Sequence, residues 1–211
     1  MSVKNKRDFI DGTTKAVLLD LDGVLVDSYH YWFKLFNQTL RYFGYPRISR
    51  AVFKRHWGQS TEDDIRIFMP EQTLEEVRKY FTRHITKYAK HMKANPRAAR
   101  VLRKLKQKGF LLGCVTNSHK RITKMELKAA KLKKYFDSVV TADDVKRPKP
   151  APDMLIKACH KLGVPKKQAV FIGDTRTDLA AGKKAGCKVI GYRIKSRVTI
   201  NNLDKLLTRS V

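Results

Sequence analysis

At 211 residues, 42% of them hydrophobic, the chain can bury one substantial core, or one core and a small second domain. Its 46 Lys and Arg against 19 Asp and Glu give a formal charge of +27, a field that draws in phosphorylated anions and makes nucleic acid a possible partner. No apolar run approaches the roughly 18 residues of a membrane span, and MSVKNKRDFIDG lacks the apolar core of a signal peptide, so no membrane partner and a cytoplasmic location are expected.

The cations are spread almost everywhere. The densest run, Lys120 to Lys134, sets seven of them against Glu126. No Gly/Arg tail, zinc-finger spacing or RNA-recognition aromatic motif accompanies them. The excess therefore reads as solvated helix faces, and nucleic-acid binding is not favoured. Cys114, Cys159 and Cys187 match no zinc or disulfide spacing, and Cys114 and Cys187, in apolar strand-like runs, read as buried, inert thiols.

In chain order, residues 1–14 are a polar lead-in. Ala16 to Leu19 is a short apolar run typical of a strand buried on both faces, and it runs straight into Asp20-Leu21-Asp22-Gly23. Ser28 is placed to cap a helix over Tyr29 to Phe43, where Trp32, Leu35, Phe36, Leu40 and Phe43 recur at helical spacing. A short helix follows from Ser49 to His56, then another from Thr61 to near Pro70. Thr73 and Glu76 form a capping box that opens a long helix to about Lys93. No strand signal occurs between 29 and 94.

From Asn95 onward helices and strands alternate. Helices are predicted over Arg97–Lys108, His119–Leu132 (capped by Ser118), Asp153–Leu162 and Thr177–Ala185, with a short one over Leu203–Leu207. Strands are predicted over Phe110–Thr116, Ser138–Thr141, Ala169–Gly173 and Lys188–Tyr192. This alternation predicts an α/β fold: a Rossmann-like parallel sheet with helices on both faces. Residues 29–94 interrupt it as an inserted all-helical cap domain, and residues 1–28 and 95–211 form the catalytic core.

In an open parallel sheet ligands bind beyond the carboxyl ends of the strands. Here those ends carry Asp20 and Asp22, then Thr116-Asn117-Ser118, then Lys149 between two prolines, then Asp174 with Asp178 one helical turn on. Paired carboxylates after a buried strand are costly unless a cation accompanies them, and a hard oxygen-loving ion such as Mg²⁺ does so. A hydroxyl beside a helix N-terminus suits phosphate. Each feature alone has a structural explanation: a strand-end turn, a cap, a solvated lysine, helix-terminal carboxylates. Their convergence on one crevice points instead to a site.

DLDGVLVDS, Thr116, the RPKPAPD segment around Lys149 and GDTRTD resemble, in order, the four motifs of the haloacid dehalogenase-like (HAD) hydrolase superfamily, most closely its phosphoglycolate phosphatase and β-phosphoglucomutase branch. The resemblance covers residues 15–28 and 96–192. Asn95-Pro96-Arg97 departs from it, since that branch usually has Gly after the Pro. The resemblance implies an aspartyl-phosphate nucleophile at Asp20 and a general acid/base at Asp22. It implies Mg²⁺ on the Asp20 carboxylate, the Asp22 carbonyl and Asp174, and phosphate contacts from Thr116, Asn117 and Lys149, with Asp178 in support. An Asp two residues after the nucleophile favours a phosphatase or phosphomutase over the dehalogenase and phosphonate-cleaving branches.

Specificity is expected from the cap turn Arg55 to Ser60, through His56, Gly58, Gln59 and Ser60, with Trp57 either core or site; His30 and Tyr31 are secondary candidates. His56, His84, His91, His119 and His160 show no metal-ligand spacing. The expected activity is Mg²⁺-dependent hydrolysis of a small phosphorylated metabolite, phosphoglycolate-like first. A sugar phosphomutase and a basic nucleic-acid-binding module are the alternatives. No pattern in the sequence sets an oligomeric state.

Overall fold

A computed structural model describes residues 10–89 and 92–207. The chain enters through β1 (Ala16–Leu19) and β2 (Val26–Asp27), then runs through α1 (Tyr29–Tyr42), α2 (Arg50–His56), α3 (Thr61–Phe68), α4 (Leu74–Ala89) and β3 (Lys93–Ala94). The alternating half follows as α5 (Ala98–Gln107), β4 (Leu111–Thr116), α6 (Lys120–Ala129), β5 (Ser138–Thr141), α7 (Asp153–Lys161), β6 (Ala169–Gly173), α8 (Arg176–Ala185), β7 (Lys188–Tyr192) and β8 (Thr199–Ile200). The sheet order is β5-β4-β1-β6-β7-β8, with every pair parallel.

β1 lies inside this sheet, between β4 and β6, and all four of its residues are fully buried. Alternate residues serve opposite faces, as the pleat requires. Val17 and Leu19 pack with Val101 and Leu105 of α5 and Leu127 of α6, whereas Ala16 and Leu18 pack with Leu155 and Ala158 of α7 and Ala181 of α8. Burying both faces stabilises each large side chain by about 2 kcal/mol, which is why an unbroken apolar run ends up here. The two aspartates beyond Leu19 thereby project from the middle of the sheet's carboxyl edge.

The four helices between β2 and β3 have their own aromatic core, built on Leu35, Phe36, Phe53, Met69 and Phe81, which reaches Ile122 and Met125 of α6. Ser49 and Ser60 cap α2 and α3, and Thr73 and Glu76 form the expected box before α4.

The structure corrects several expectations. The stretch 29–94 is not wholly helical, because β3 pairs antiparallel with β2, Asp27 opposite Lys93. Two-residue strands are too short to show alternation. This ribbon joins the two crossings between the helical block and the sheet. The long helix is described as far as Ala89, and Lys93, its expected end, is already in β3; His91 lies outside the described residues. β8 adds a sixth strand beside β7. Ser28 is buried but makes no capping hydrogen bond to α1, and Ser118 does not cap α6, whose N-cap residue is His119. The three cysteines are free; Cys114 is buried as expected, whereas Cys187 is only half-buried. Among the described residues, no helix is long and apolar enough to cross a membrane. The seven cations of Lys120 to Lys134 are all exposed.

Candidate active site

Asp20 leaves β1 with its main-chain N–H still donating to Ile172 at 2.9 Å, so the sheet ladder fixes its position. Gly23 then turns the chain at φ +83°, where a side chain would be strained. A Cβ at Gly23 would also sit 2.0 Å from Oδ2 of Asp174. The glycine of the Asp-Leu-Asp-Gly turn is thus required by the close approach of an acid from another strand.

Lys149 crosses under this turn. It is 2% exposed, and its Nζ donates to Asp20 Oδ1 at 2.6 Å, to Asp178 Oδ1 at 2.6 Å and to the Val115 carbonyl at 3.1 Å. The loop that presents it is held by Asn117. The Asn117 side chain accepts from the Lys149 N–H at 2.9 Å and donates back to the Lys149 carbonyl at 2.9 Å and to the Gly58 carbonyl at 3.0 Å. The Asn117 amide is therefore a brace, and any phosphate contact from this residue falls to its backbone N–H.

Asp178 has a double task. Its Oδ1 accepts from Lys149, while its Oδ2 accepts from the Thr175 N–H at 3.0 Å and from the Thr175 hydroxyl, closing a capping box at the start of α8. The box fixes the carboxylate that fixes the lysine.

Asp22 is separate from that network. Its Oδ2 accepts from the Ser118 hydroxyl at 2.9 Å and from Thr116 Oγ1 at 3.4 Å, and its Oδ1 accepts from the Trp32 indole at 3.1 Å. Ser118 and Trp32 are site residues that the sequence did not expose. Ser118 read as a helix cap, and Trp32 belongs to an aromatic stripe that otherwise packs as core.

The turn after α2 closes over the crevice. The Trp57 indole donates to Asp174 Oδ2 at 3.3 Å, and Thr177 Oγ1 donates to the Gly58 carbonyl at 3.1 Å. His56, Trp57, Gly58 and Gln59 line the cavity above Asp20 and Asp22, and so does Asp64 of α3. Ser60 does not; it is 2% exposed and caps α3. Arg55 and His30 are exposed, and Tyr31 is buried with its hydroxyl against Glu126. None of these three lines the cavity.

Four carboxylates share this place with one lysine. Burial pushes the Asp20 pKa well above the usual carboxylate range; Lys149 opposes this, and Asp178, Asp174 and Asp22 reinforce it. Burial also raises that of Asp22, against its hydrogen bonds. Asp174 is pushed up to about 7 by burial and by Asp178, with the Trp57 hydrogen bond working the other way. For Lys149, burial disfavours the charge, but Asp178 and Asp20 outweigh it and hold the ammonium above the ordinary lysine range. The cluster is short of positive charge.

Oxygens of Asp20, Asp174 and Asp178 lie within 4.8 Å of one another, and Asp174 Oδ1 is buried without a hydrogen-bond partner. Both oxygens of Asp178 are committed, to Lys149 and to Thr175, whereas Asp20 gives Lys149 one oxygen and Asp174 keeps Oδ1 unpartnered, so these two are the acids with an oxygen to spare. An all-oxygen donor set with an orphaned carboxylate oxygen can hold a hard divalent cation.

Comparisons with known proteins give the family and the fold. The family model described as haloacid dehalogenase-like hydrolase matches residues 17–192. The pyrophosphatase PpaX of Bacillus velezensis is 30% identical over 193 residues, covering 90% of this chain and 89% of that protein. A phosphoglycolate phosphatase of Shigella boydii is 34% identical over 152 residues, covering 72% of this chain and 60% of the relative. In three dimensions, CbbY from Rhodobacter sphaeroides, solved in complex with phosphate, superposes with a TM-score of 0.81 at 21% identity, over 92% of this chain and 96% of that one. A HAD-superfamily hydrolase of subfamily IA from Geobacter sulfurreducens gives a TM-score of 0.73 at 24% identity, over 92% and 98%. With the model match spanning both β1 and β7, the chain belongs to the haloacid dehalogenase-like hydrolase family.

Proposed function

We propose that the chain is a Mg²⁺-dependent phosphoric monoester hydrolase that acts on a small phosphorylated metabolite through an aspartyl-phosphate on Asp20. One observation carries this reading. Two carboxylates two residues apart stand in different environments, Asp20 against the Lys149 ammonium and Asp22 among neutral donors. Such a division suits one nucleophile and one proton carrier. The family membership and the relatives' names, pyrophosphatase and phosphoglycolate phosphatase, support phosphate-ester chemistry.

In this reading an Asp20 carboxylate oxygen attacks phosphorus in line with the leaving oxygen. Asp22, whose pKa burial raises, gives its proton to that oxygen as the P–O bond breaks. It then takes a proton from the water that cleaves the aspartyl-phosphate, restoring both acids and releasing phosphate. Thr116 and the backbone N–H groups that follow it hold the phosphoryl oxygens. Lys149 keeps Asp20 ionised and fixed, and Asp178 positions Lys149. Asp20, Asp174 and the Asp22 carbonyl would hold Mg²⁺, which would supply charge neutralisation at the nucleophile and the phosphoryl group. Residues 29–94 act as the cap, hinged at the β2–β3 ribbon, and shield the intermediate from bulk water.

Phosphate release across a panel of phosphoglycolate, pyrophosphate, sugar phosphates and nucleotide monophosphates tests this. Release that needs Mg²⁺, stops with EDTA and is lost in Asp20→Asn supports the reading. Metal-independent release, or near-normal rates in Asp20→Asn, overturns it. Turnover that requires a sugar bisphosphate activator would point to the phosphomutase instead.

A further inference from the structure

The cap side of the cavity is an aromatic wall of Trp32, Phe36, Phe53, Trp57 and Phe81, broken by a single carboxylate, Asp64. Asp64 follows two other acids at the start of α3, and these have outside partners. Glu62 accepts from Arg78 at 3.2 Å and Asp63 from Arg66 at 2.7 Å. No hydrogen bond or ion pair reaches the Asp64 carboxyl among the described residues. Burial, with Asp63 and Glu62 adding to it, holds its pKa well above the usual carboxylate range. Glu62 and Asp63 already place negative charge at the α3 N-terminus, so the helix dipole does not require an unpaired acid facing a cavity.

The same lining is poor in positive charge. Among the described residues, Lys149 is the only Lys or Arg in it, and its three donor contacts go to Asp20, Asp178 and Val115. His119 also lines the cavity, but burial pushes its pKa down to about 4, so it is neutral near pH 7. His56 engages Gln59 through Nδ1 at 3.3 Å. A substrate carboxylate, or a second phosphate beyond the one seated over Asp20, meets no free cation on the cap side, and would have to share it with the acid Asp64. A hydroxyl or ammonium donor, by contrast, supplies the partner that Asp64 lacks. The cavity is about 80 Å³, room for a small leaving group only.

We infer that Asp64 is a specificity-determining residue, and that it selects phosphomonoesters whose leaving group is small, uncharged or cationic, and carries a hydroxyl or ammonium donor beside an apolar body. The inference rests on the phosphatase reading for the seat of the phosphate. It departs from the phosphoglycolate-like expectation and from both relatives' named substrates, because phosphoglycolate and pyrophosphate present an anion to the cap.

Three esters of matched length separate these classes: 2-aminoethyl phosphate, 2-hydroxyethyl phosphate and phosphoglycolate. Their binding to Asp20→Asn with Mg²⁺, measured by calorimetry, reads leaving-group selection without any turnover, so a failure of the Asp20 mechanism shows separately in wild-type kinetics. The amino and hydroxy esters should bind at least about tenfold more tightly than phosphoglycolate, the worth of one charge-assisted contact. Adding Asp64→Asn should shrink the spread to about threefold or less while inorganic phosphate binds as before. Equal or tighter binding of phosphoglycolate, or an unchanged ranking in the double variant, overturns the inference. If the double variant also loses inorganic phosphate, the ranking in Asp20→Asn alone decides.

Discussion

Asp178 shares the Lys149 ammonium with Asp20, with 2.6 Å between Asp178 Oδ1 and the ammonium and both partners almost fully buried. A lysine with one carboxylate neighbour could swing towards it; between two it is fixed. Asp178→Asn is therefore expected to lower kcat by about 100-fold and to destabilise the fold by about 3 kcal/mol, since it removes one partner of a buried pair and leaves the cation under-compensated. Thermal denaturation and steady-state kinetics check the two effects separately. Unchanged kcat would remove Asp178 from the positioning role.

Ser118 contributes one of the donors on Asp22. Donors of this kind favour the ionised carboxylate, so Ser118→Ala should raise the Asp22 pKa and move the limb of the pH–rate profile that it governs to higher pH. A loss of about tenfold in kcat with little change in KM is expected, the usual cost of one hydrogen bond to a charged group. A pH–rate profile identical to wild type would place Ser118 outside the chemistry.

Much of this site was legible in the sequence, and the part that was not has a common physical character. Asp20, Asp22, Thr116, Lys149, Asp174 and Asp178 could be found because each follows a buried strand, where the apolar run announces the end of the sheet. Trp32 and Asp64 could not, and although Ser118 stood at a strand end and Trp57 in the expected cap turn, their carboxylate partners could not either. Ser118 and Trp32 reach Asp22 across 96 and 10 residues of chain, and Trp57 reaches Asp174 across 117. The two tryptophan contacts arise only when the cap settles on the core, and the Ser118–Asp22 contact only when two strand ends meet; no local periodicity encodes them. The β2–β3 ribbon and β8 escaped for a different reason: two-residue strands carry no alternation to read.

Gly58 lies at φ +86°, and a Cβ there would approach Thr175 Cγ2 to 2.6 Å. Thr175 is the residue that braces Asp178. Gly58→Ala should therefore hold the cap turn off the core, cutting kcat/KM by at least about tenfold and costing about 1–2 kcal/mol of stability. Kinetics comparable with wild type would mean that the turn does not need to close.

His119 ties the end of β4 to the cap, with Nε2 at 3.5 Å from Thr82 Oγ1. Burial lowers its pKa from 6.5 to about 4, with Asp143 opposing and Arg78 and Arg121 assisting. Above pH 6.5 both folded and unfolded forms are neutral and no pH effect arises. Between about pH 6.5 and 4 the unfolded chain takes up a proton that the folded chain refuses, so stability falls as the pH drops. His119→Gln should remove on the order of 2 kcal/mol of that acid loss. Denaturant midpoints of the two proteins at pH 7 and near pH 4.5 measure it, and parallel losses would contradict the assignment.

The most direct measurement is to trap the covalent intermediate. The wild-type protein, turning over 2-hydroxyethyl phosphate with Mg²⁺, is quenched and treated with borohydride, which reduces an aspartyl-phosphate to homoserine, and the peptides are read by mass spectrometry. Homoserine at position 20, absent without substrate and without Mg²⁺, is the expected result. Sustained phosphate release with Asp20 unmodified, or with the label on another residue, would contradict nucleophilic catalysis by Asp20.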